Sequence, residues 1–414
     1  MISQQELTPS KSVSLITVLA ILYFFFNSLG LPEGPLYTTF LTPFFYWYLV
    51  KAGAKNVIGF FLLALLPIAI IHWFVGVNLY YYVKSSILYG TVYLFVYAFY
   101  VFVKRNNIET VIGQIALLNF AITILALGLY FTPLKEWVWH VKKITIEILD
   151  VSRLKLFTYE PSYYSTLLVP IVMYYSIGFF MKKYSLRSTL FISIMIFLPL
   201  VLSFSLGVIS AFLFAVGTTV LFFFKKLFKR RRIFYPLVFA SCLFILLGLV
   251  LFVFFPDNLL FLRIEDLFEG KDHSAKGRTI EAWKLSWQMA QYTSSIFGCG
   301  IGQIKIVGEE IIRVFYHYQF DDIPIIRVPS AIGETLATFG IFGLALRIGV
   351  EIWLFFKTKV YLNVLQFALF SYIFLYQFTG SYLTNVAEYV IWVLAFYTGF
   401  KDFHVSSIKS YSKV

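Results

Sequence analysis

Four side chains with useful polar chemistry stand immediately before an apolar run in residues 151–166, which read VSRLKLFTYEPSYYST. Arg153 and Lys155 are cations, Glu160 is a carboxylate, and Ser162 carries a hydroxyl. A carboxylate can take the proton of an attacking hydroxyl, and an arginine fork stabilises a phosphate leaving group as negative charge develops on it. The same residues also suit a helix cap flanked by cations that reach the membrane surface.

The local signals predict that a helix begins at Pro161. A proline loses nothing at the first helical position, because the N–H that it lacks has no partner there, and its fixed φ suits the first turn. Glu160 and Ser162 then lie at the helix N-terminus, where unpaired backbone N–H groups favour a negative group.

Composition indicates that this helix lies in a membrane protein. The 414 residues are 60% hydrophobic and only 13% charged, about half the charged share of a soluble domain. We predict an all-α, polytopic integral membrane protein whose single transmembrane domain spans residues 1–414. Cys242 and Cys299 fall in an apolar run and in a polar loop, so we expect no disulfide, and no motif indicates a metal site or a cofactor.

About 12 apolar segments are candidates for transmembrane helices. We predict spans at 13–29, 35–50, 57–75, 79–103, 108–130, 163–181, 188–203, 207–224, 234–255, 331–356, 362–380 and 386–400. The stretch 188–224 is too long for one helix, so we divide it at residues 203–207, where small side chains permit a turn. Placing the N-terminus in the cytoplasm concentrates the cations on the cytoplasmic side, in agreement with the positive-inside rule.

This topology places two long segments on the extracytoplasmic face, a shorter one at residues 131–162 and a large loop at residues 256–330. No nucleotide is available outside the cytoplasm, so an enzyme acting there needs a substrate that was activated before it arrived. Lipid-linked phosphates are the class of substrate that meets this requirement.

The large loop contains a predicted amphipathic helix in TIEAWKLSWQMAQY, where the apolar residues Ile280, Trp283, Trp287 and Ala290 recur at helical spacing. We expect this helix to lie at the membrane interface. Lys276 and Arg278 precede it, and cations at a helix N-terminus are unfavourable unless an anion lies among them. The two cations therefore form either an anion-binding site or an anchor for lipid head groups.

Further charged residues follow near the predicted spans. Arg327 and Ser330 precede or open the span at 331–356, and Arg347 and Glu351, four residues apart near its cytoplasmic end, suggest a structural pair. Glu388 lies near an extracytoplasmic end, so it is either functional or extends towards the interface.

Three short motifs occur in order along residues 150 to 345. They are Arg153 with YEPSYYS at 159–165, then GR at 277–278 with Trp283 and GCGIG at 298–302, then Ser330 and Glu334 with FGIFG at 339–343. Together they resemble the O-antigen polymerase and O-antigen ligase superfamily of bacterial polysaccharide enzymes. The resemblance implies a multi-pass protein of the bacterial cytoplasmic membrane, with an active site that faces the periplasm.

The resemblance also implies a metal-independent glycosyltransferase whose donor is linked to undecaprenyl diphosphate. Candidate catalytic residues are Glu160, Arg278 and Arg153. Candidate substrate-binding residues are Lys155, Ser162, Tyr163, Lys276, Arg327 and Ser330. Expected partners are the lipid-linked oligosaccharide, membrane lipids and a chain-length-regulating co-polymerase, and no nucleic acid is expected.

At two positions this sequence departs from the pattern that the resemblance implies for ligases. Ligases of this superfamily have a histidine at the position of Pro329 and a leucine at the position of Ala282, and the Glu-Pro-Ser motif is found in the polymerase branch. We therefore favour a polysaccharide polymerase. An O-antigen ligase and a flippase for lipid-linked oligosaccharides are the alternatives, although the chain shows no pair of similar halves of the kind that many transporters have.

Overall fold

A computed structural model describes residues 28–29, 31, 36–54, 56–142, 151–181, 184–228, 277–317 and 326–406. The predicted spans 234–255 and most of 13–29, together with Lys276 and residues 256–276 of the large loop, lie outside the described residues. Within the described residues the chain is mostly helical, and six helices are long and apolar enough to cross a membrane. The protein is therefore membrane-embedded.

The N-terminal helices are α1 (Tyr37–Phe40), α2 (Thr42–Lys51), α3 (Val57–Val75), α4 (Leu79–Arg105), α5 (Ile108–Leu129) and the single turn α6 (Lys135–Val138). Asparagine side chains start two of them, since Asn78 caps α4 and Asn107 caps α5. The predicted span 35–50 differs from the structure, where Leu41 separates two short helices and Pro43 lies in the first turn of the second. At ten residues, α2 is about 15 Å long, too short to cross a bilayer by itself.

A short antiparallel sheet follows and is the exception to the predicted all-α fold. Strand β1 (Trp139–Lys142) pairs with β2 (Val151–Leu154), and His140 lies opposite Arg153. The indole N–H of Trp139 donates to the carbonyl oxygen of Ala126 at 2.8 Å, which ties the sheet to the end of α5. The predicted extracytoplasmic segment 131–162 thus contains a hairpin that leads directly to the candidate site.

The C-terminal elements are α7 (Pro161–Phe180), α8 (Leu186–Ser203), α9 (Leu206–Phe228), a π-helical turn at Gly277–Glu281, α10 (Ala282–Thr293), α11 (Ile304–Tyr316), α12 (Ala331–Lys357), α13 (Val364–Thr379) and α14 (Val386–Ala395). Two predictions are confirmed: Pro161 is the first residue of α7, and the chain breaks between α8 and α9, where Phe204 has a φ of 45°. Among the six candidate membrane helices, α7 is the most enclosed, with 89% of its apolar window buried against 11–39% for the others. Its N-terminus is therefore held firmly within the bundle.

The helix predicted in the large loop is present as α10, but its packed face only partly matches the predicted apolar stripe. Its buried residues are Ala282, Leu285, Ser286, Met289 and Ala290, and the helix packs against both α11 and α12. Of the predicted stripe, Ala290 is buried and Trp283 stacks on Phe378 of α13, whereas Ile280 and Trp287 remain 61% and 38% exposed. Ser286 lies where a Cβ on Gly333 would be 2.8 Å from its hydroxyl, so α10 and α12 approach closely at small residues.

The predicted span 331–356 is not one straight helix. Gly340 has φ 66° and ψ −164°, so α12 consists of two helical pieces that meet at a sharp break. The break brings the Arg347 guanidinium within 3.1 Å of the Thr335 hydroxyl, although twelve residues would separate them by about 18 Å along a straight helix. The Arg347 side chain therefore lies beside the first half of α12.

The glycine-rich segment 298–302 explains this break. Backbone N–H groups of Cys299 and Gly300 donate to the carbonyl oxygens of Ala337 and Thr338, at 2.8 and 3.0 Å. A Cβ atom on Gly298 would lie 2.4 Å from the carbonyl carbon of Thr338. Glycine is required at this position because the two backbones are in direct contact.

Candidate functional site

A small cleft lies at the N-terminus of α7, beside the π-helical turn and the α13–α14 connection. Its lining residues are Tyr159, Glu160, Ser162, Tyr163, Arg278, Pro329, Tyr376, Ser381, Tyr382 and Asn385. Four predicted site residues, Glu160, Ser162, Tyr163 and Arg278, therefore meet here from segments more than a hundred residues apart in the chain.

Glu160 is held in place by its neighbours at the start of α7. It is the N-cap residue with extended φ and ψ, yet its carboxylate makes no capping bond to the helix. The Ser162 hydroxyl instead donates to the Glu160 carboxylate at 2.5 Å, and the Thr158 hydroxyl donates to its main-chain oxygen at 3.0 Å. The carboxylate is thereby fixed on the cleft wall, where it can accept a proton from a bound hydroxyl.

Tyrosine rings form much of the remaining cleft wall. The rings of Tyr159 and Tyr163 lie 4.9 Å apart, and the Thr166 hydroxyl donates to the Tyr376 hydroxyl at 3.3 Å. The Tyr163 hydroxyl is buried without a hydrogen-bond partner in the described part of the chain. Buried tyrosine hydroxyls normally have a partner, so a ligand that supplies one would stabilise this site.

Charges of both signs surround Tyr382, which lies in the connection between α13 and α14. Burial raises the pKa of the Tyr382 hydroxyl, Arg327 and Arg278 lower it, and Glu160 raises it further. The guanidinium of Arg327 also lies over the Tyr382 ring, 5.0 Å from its centre. Two arginines and one carboxylate therefore act on the same small region.

Arg278 reaches the cleft from an unusual backbone element. It is the second residue of the π-helical turn at Gly277–Glu281, a form of helix that is frequent at functional sites. At the other end of this turn, the carboxylate of Glu281 accepts a hydrogen bond from the Tyr316 hydroxyl at 2.7 Å. The turn is thus held by α11. This contact supports the backbone from which the Arg278 side chain reaches the cleft.

Four other predicted residues among those that the structure describes, Arg153, Lys155, Arg327 and Ser330, do not line the cleft. Arg153 donates from Nε to the carbonyl oxygen of Ser203 at 3.1 Å, so it caps the C-terminus of α8. Lys155 lies beside the hairpin, where burial lowers its pKa and Glu136 partly offsets that effect. Both side chains therefore lie outside this cleft, and contact of either with a substrate stays a prediction.

Ser330 is fully buried and its hydroxyl is already engaged. The hydroxyl oxygen accepts the N–H of Gly333 at 3.1 Å and caps α12. It also donates to the carbonyl oxygen of Phe378 at the end of α13, at 3.1 Å. The serine thus joins α12 to α13, and its neighbour Pro329 lines the cleft.

Sequence reasoning missed the contribution of α13 and the turn after it. Tyr376, Ser381, Tyr382 and Asn385 all line the cleft. The available signal was Gly380 followed by polar residues between two short apolar segments, which marks an irregular connection. Nothing local in that signal shows that the connection meets α7, since this contact depends on how the helices pack.

Residues 189–348 match a family model described as O-antigen ligase. The match covers less than half of the 414 residues and supports the resemblance to the O-antigen ligase and polymerase superfamily over this part of the chain. A search of curated proteins gives no match. The matched range includes Arg278, Pro329 and the break at Gly340 but neither the start of α7 nor the α13–α14 connection, so both walls around Arg278 come from outside it.

Proposed function

We propose that this protein is a polysaccharide polymerase of the O-antigen or capsular type in the bacterial cytoplasmic membrane, with its cleft facing the periplasm. It would transfer a growing glycan from undecaprenyl diphosphate onto a lipid-linked repeat unit. The observation that supports this most is the cleft itself, in which a carboxylate, an arginine and four tyrosines converge. The superfamily match supports lipid-linked glycans as the substrate class.

In the proposed reaction, a hydroxyl of the incoming repeat unit attacks the anomeric carbon of the growing chain. The bond between that carbon and the diphosphate oxygen breaks, and undecaprenyl diphosphate leaves with the bonding electrons. Glu160 accepts the proton of the attacking hydroxyl, which requires Ser162 to share or release its hydrogen bond to the carboxylate.

The leaving diphosphate gains negative charge in this step, and Arg278 is the cleft residue suited to stabilise it. A guanidinium donates two parallel N–H bonds to phosphate oxygens, a geometry that an ammonium cannot reproduce. Arg327, whose guanidinium lies on Tyr382, is the second candidate for the same anion. Lys276 stays a candidate through its adjacency to Arg278 in the sequence.

The sugars would occupy the tyrosine side of the cleft. Tyr159, Tyr163 and Tyr382 offer apolar ring faces with polar tips, which suits a sugar ring that has C–H groups on its faces and hydroxyls at its edge. Ser381 and Asn385 add a hydroxyl and an amide to the same wall.

Ligation of a finished polymer is the second candidate, because the matched family model is described as an O-antigen ligase. Against it stands Pro329, which lines the cleft at the position where the resemblance implies a histidine in ligases. Proline has no side-chain group able to exchange a proton. The cleft therefore offers Glu160 instead of a histidine at this point, which favours the polymerase.

The products of the purified protein in liposomes decide between these activities. With lipid-linked repeat units alone, a polymerase yields a ladder of longer chains on the same carrier. A ligase yields no ladder and transfers glycan only when lipid A core is added, and a flippase moves the repeat unit across the bilayer without elongating it. Addition of a chain-length-regulating co-polymerase should narrow the ladder, in line with its expected role as partner.

A further inference from the structure

The turn between α13 and α14 contributes Ser381, Tyr382 and Asn385 to the cleft. Ser381 has a φ of 70°, a left-handed conformation that is uncommon for any residue other than glycine. Such a backbone persists only where surrounding contacts hold it. The position of this cleft wall therefore depends on what anchors Ser381.

The carboxylate of Glu388, in the first turn of α14, anchors Ser381, while the carboxylate of Glu334 accepts the N–H of Leu383 further along the same turn at 2.7 Å. The Ser381 hydroxyl donates to Glu388 Oε2 at 2.5 Å and accepts from Asn385 Nδ2 at 2.9 Å. The other carboxylate oxygen of Glu388 pairs with Arg347 Nη2 and accepts the indole N–H of Trp392 at 3.3 Å. Both oxygens of this buried carboxylate are thus engaged, and one of them holds the cleft turn.

Arg347 is the centre of the same network. Its Nε donates to Glu351 Oε1 at 3.2 Å and to Gln377 Oε1 at 3.0 Å, and its Nη1 donates to the Thr335 hydroxyl at 3.1 Å. Its side chain is 13% exposed and that of Glu388 is 1% exposed. An ion pair buried in a membrane protein is costly to desolvate, so its presence directly behind a cleft needs a reason.

We propose that the Arg347–Glu388 pair is a positioning device for the cleft. It holds Ser381 in its left-handed conformation and thereby sets where Tyr382 and Asn385 meet the sugar. Neither partner lines the cleft, so both act through Ser381. The substrate side of this inference rests on the proposed function, whereas the anchoring of the turn does not.

Glu351 offers a built-in comparison for this role. It contacts the same guanidinium, accepts from Gln377 Nε2 at 2.7 Å, and is also buried. It has no described hydrogen bond to the turn at 381–385. Removing the charge of Glu351 or Glu388 disturbs the same ion cluster, but only the change at Glu388 removes an acceptor from Ser381.

The test compares Glu388→Gln with Glu351→Gln in the full-length protein in nanodiscs. Hydrogen–deuterium exchange of the peptide covering residues 380–387 should rise at least tenfold in Glu388→Gln and stay close to wild type in Glu351→Gln. The KM for the lipid-linked repeat unit should rise in Glu388→Gln, with a loss in kcat/KM of about 10²-fold expected for a misplaced binding wall. Binding of undecaprenyl diphosphate alone should not change, because Arg278 lies on another element.

Equal exchange in the two variants, or unchanged exchange in Glu388→Gln, overturns the proposal. If Glu388→Gln does not fold, Ser381→Ala removes the hydroxyl at the other end of the same bond and should raise the same exchange; wild-type exchange in that variant also overturns it. Failure of the wild-type protein to make polymer would instead reject the proposed function, and the exchange data would still decide whether the pair holds the turn.

Discussion

The adjacent residues Tyr163 and Tyr164 offer a matched pair of hydroxyl deletions in the first turn of α7. Both side chains are buried, but only the Tyr164 hydroxyl has a described bond, which it donates to Asn119 Oδ1 at 3.0 Å. The Tyr163 hydroxyl lacks a partner among the described residues, and its residue lines the cleft. Replacement by phenylalanine removes one oxygen from each without changing the ring.

The free energy of unfolding should fall in Tyr164→Phe but not in Tyr163→Phe. Tyr164→Phe leaves the Asn119 oxygen unsatisfied, which costs about 1–3 kcal/mol. Tyr163→Phe removes a hydroxyl that was already desolvated without a bond, so the free energy of unfolding should stay the same or rise by about 1 kcal/mol. Chemical unfolding of both purified variants in one detergent measures the difference.

For kcat/KM we expect the reverse: Tyr163→Phe should lose more than Tyr164→Phe. If the Tyr163 hydroxyl bonds to the bound glycan, its removal should lower kcat/KM by roughly 2- to 10-fold, the range for one neutral hydrogen bond. Tyr164→Phe, compared at equal amounts of folded protein, should have a smaller effect. A Tyr163→Phe variant that loses as much stability as Tyr164→Phe, or that polymerises like wild type, would refute the assignment of this hydroxyl to the ligand.

Four further predictions concern the arginine, the helix break, metal dependence and topology. Arg278→Ala should slow polymerisation by roughly 10²–10³-fold and Arg278→Lys should also be clearly impaired; full activity of the lysine variant at equal abundance would indicate a lipid anchor. Gly340→Ala would bring a Cβ to 2.3 Å from a main-chain oxygen at φ 66° and should destabilise the fold by more than about 3 kcal/mol, whereas Gly349→Ala, with nothing within 4 Å, should be tolerated in the same thermal unfolding assay. Polymerisation should continue in excess chelator, and its loss with rescue by magnesium would contradict arginine-based stabilisation of the leaving group. An impermeant thiol reagent should label Ser274→Cys in spheroplasts but no cysteine placed in 225–232; the opposite pattern would invert the proposed topology.

Local chemistry made part of this structure predictable from the sequence. Pro161 marks the start of α7 because a proline fits the first helical position, and small residues at 203–207 permit the break before α9. The same kind of signal was ambiguous at Ser330, since a serine before a helix can cap the helix or bind a ligand. Only packing against α13 shows that Ser330 is used as a cap.

Long-range contacts explain what could not be predicted. Apolar periodicity finds α13 and α14 but does not indicate which helix ends meet, so Tyr376 and the residues after Gly380 were missed. Likewise, α10 buries Leu285 and Met289 and leaves Trp287 38% exposed, which apolar periodicity alone does not indicate because the choice depends on packing against α11 and α12.

The backbone conformation of Gly340 links a local helix break to the contacts behind the cleft. A straight helix would carry Arg347 far from Thr335, and the sequence position of Glu388 suggested the opposite end of the membrane. The glycine-rich segment 298–302 packs against the break and folds the second half of α12 back, so that the guanidinium reaches Glu388. A charge pair behind the cleft therefore depends on glycines that have no side-chain chemistry of their own, and loss of the break should disrupt the Ser381 turn together with the fold.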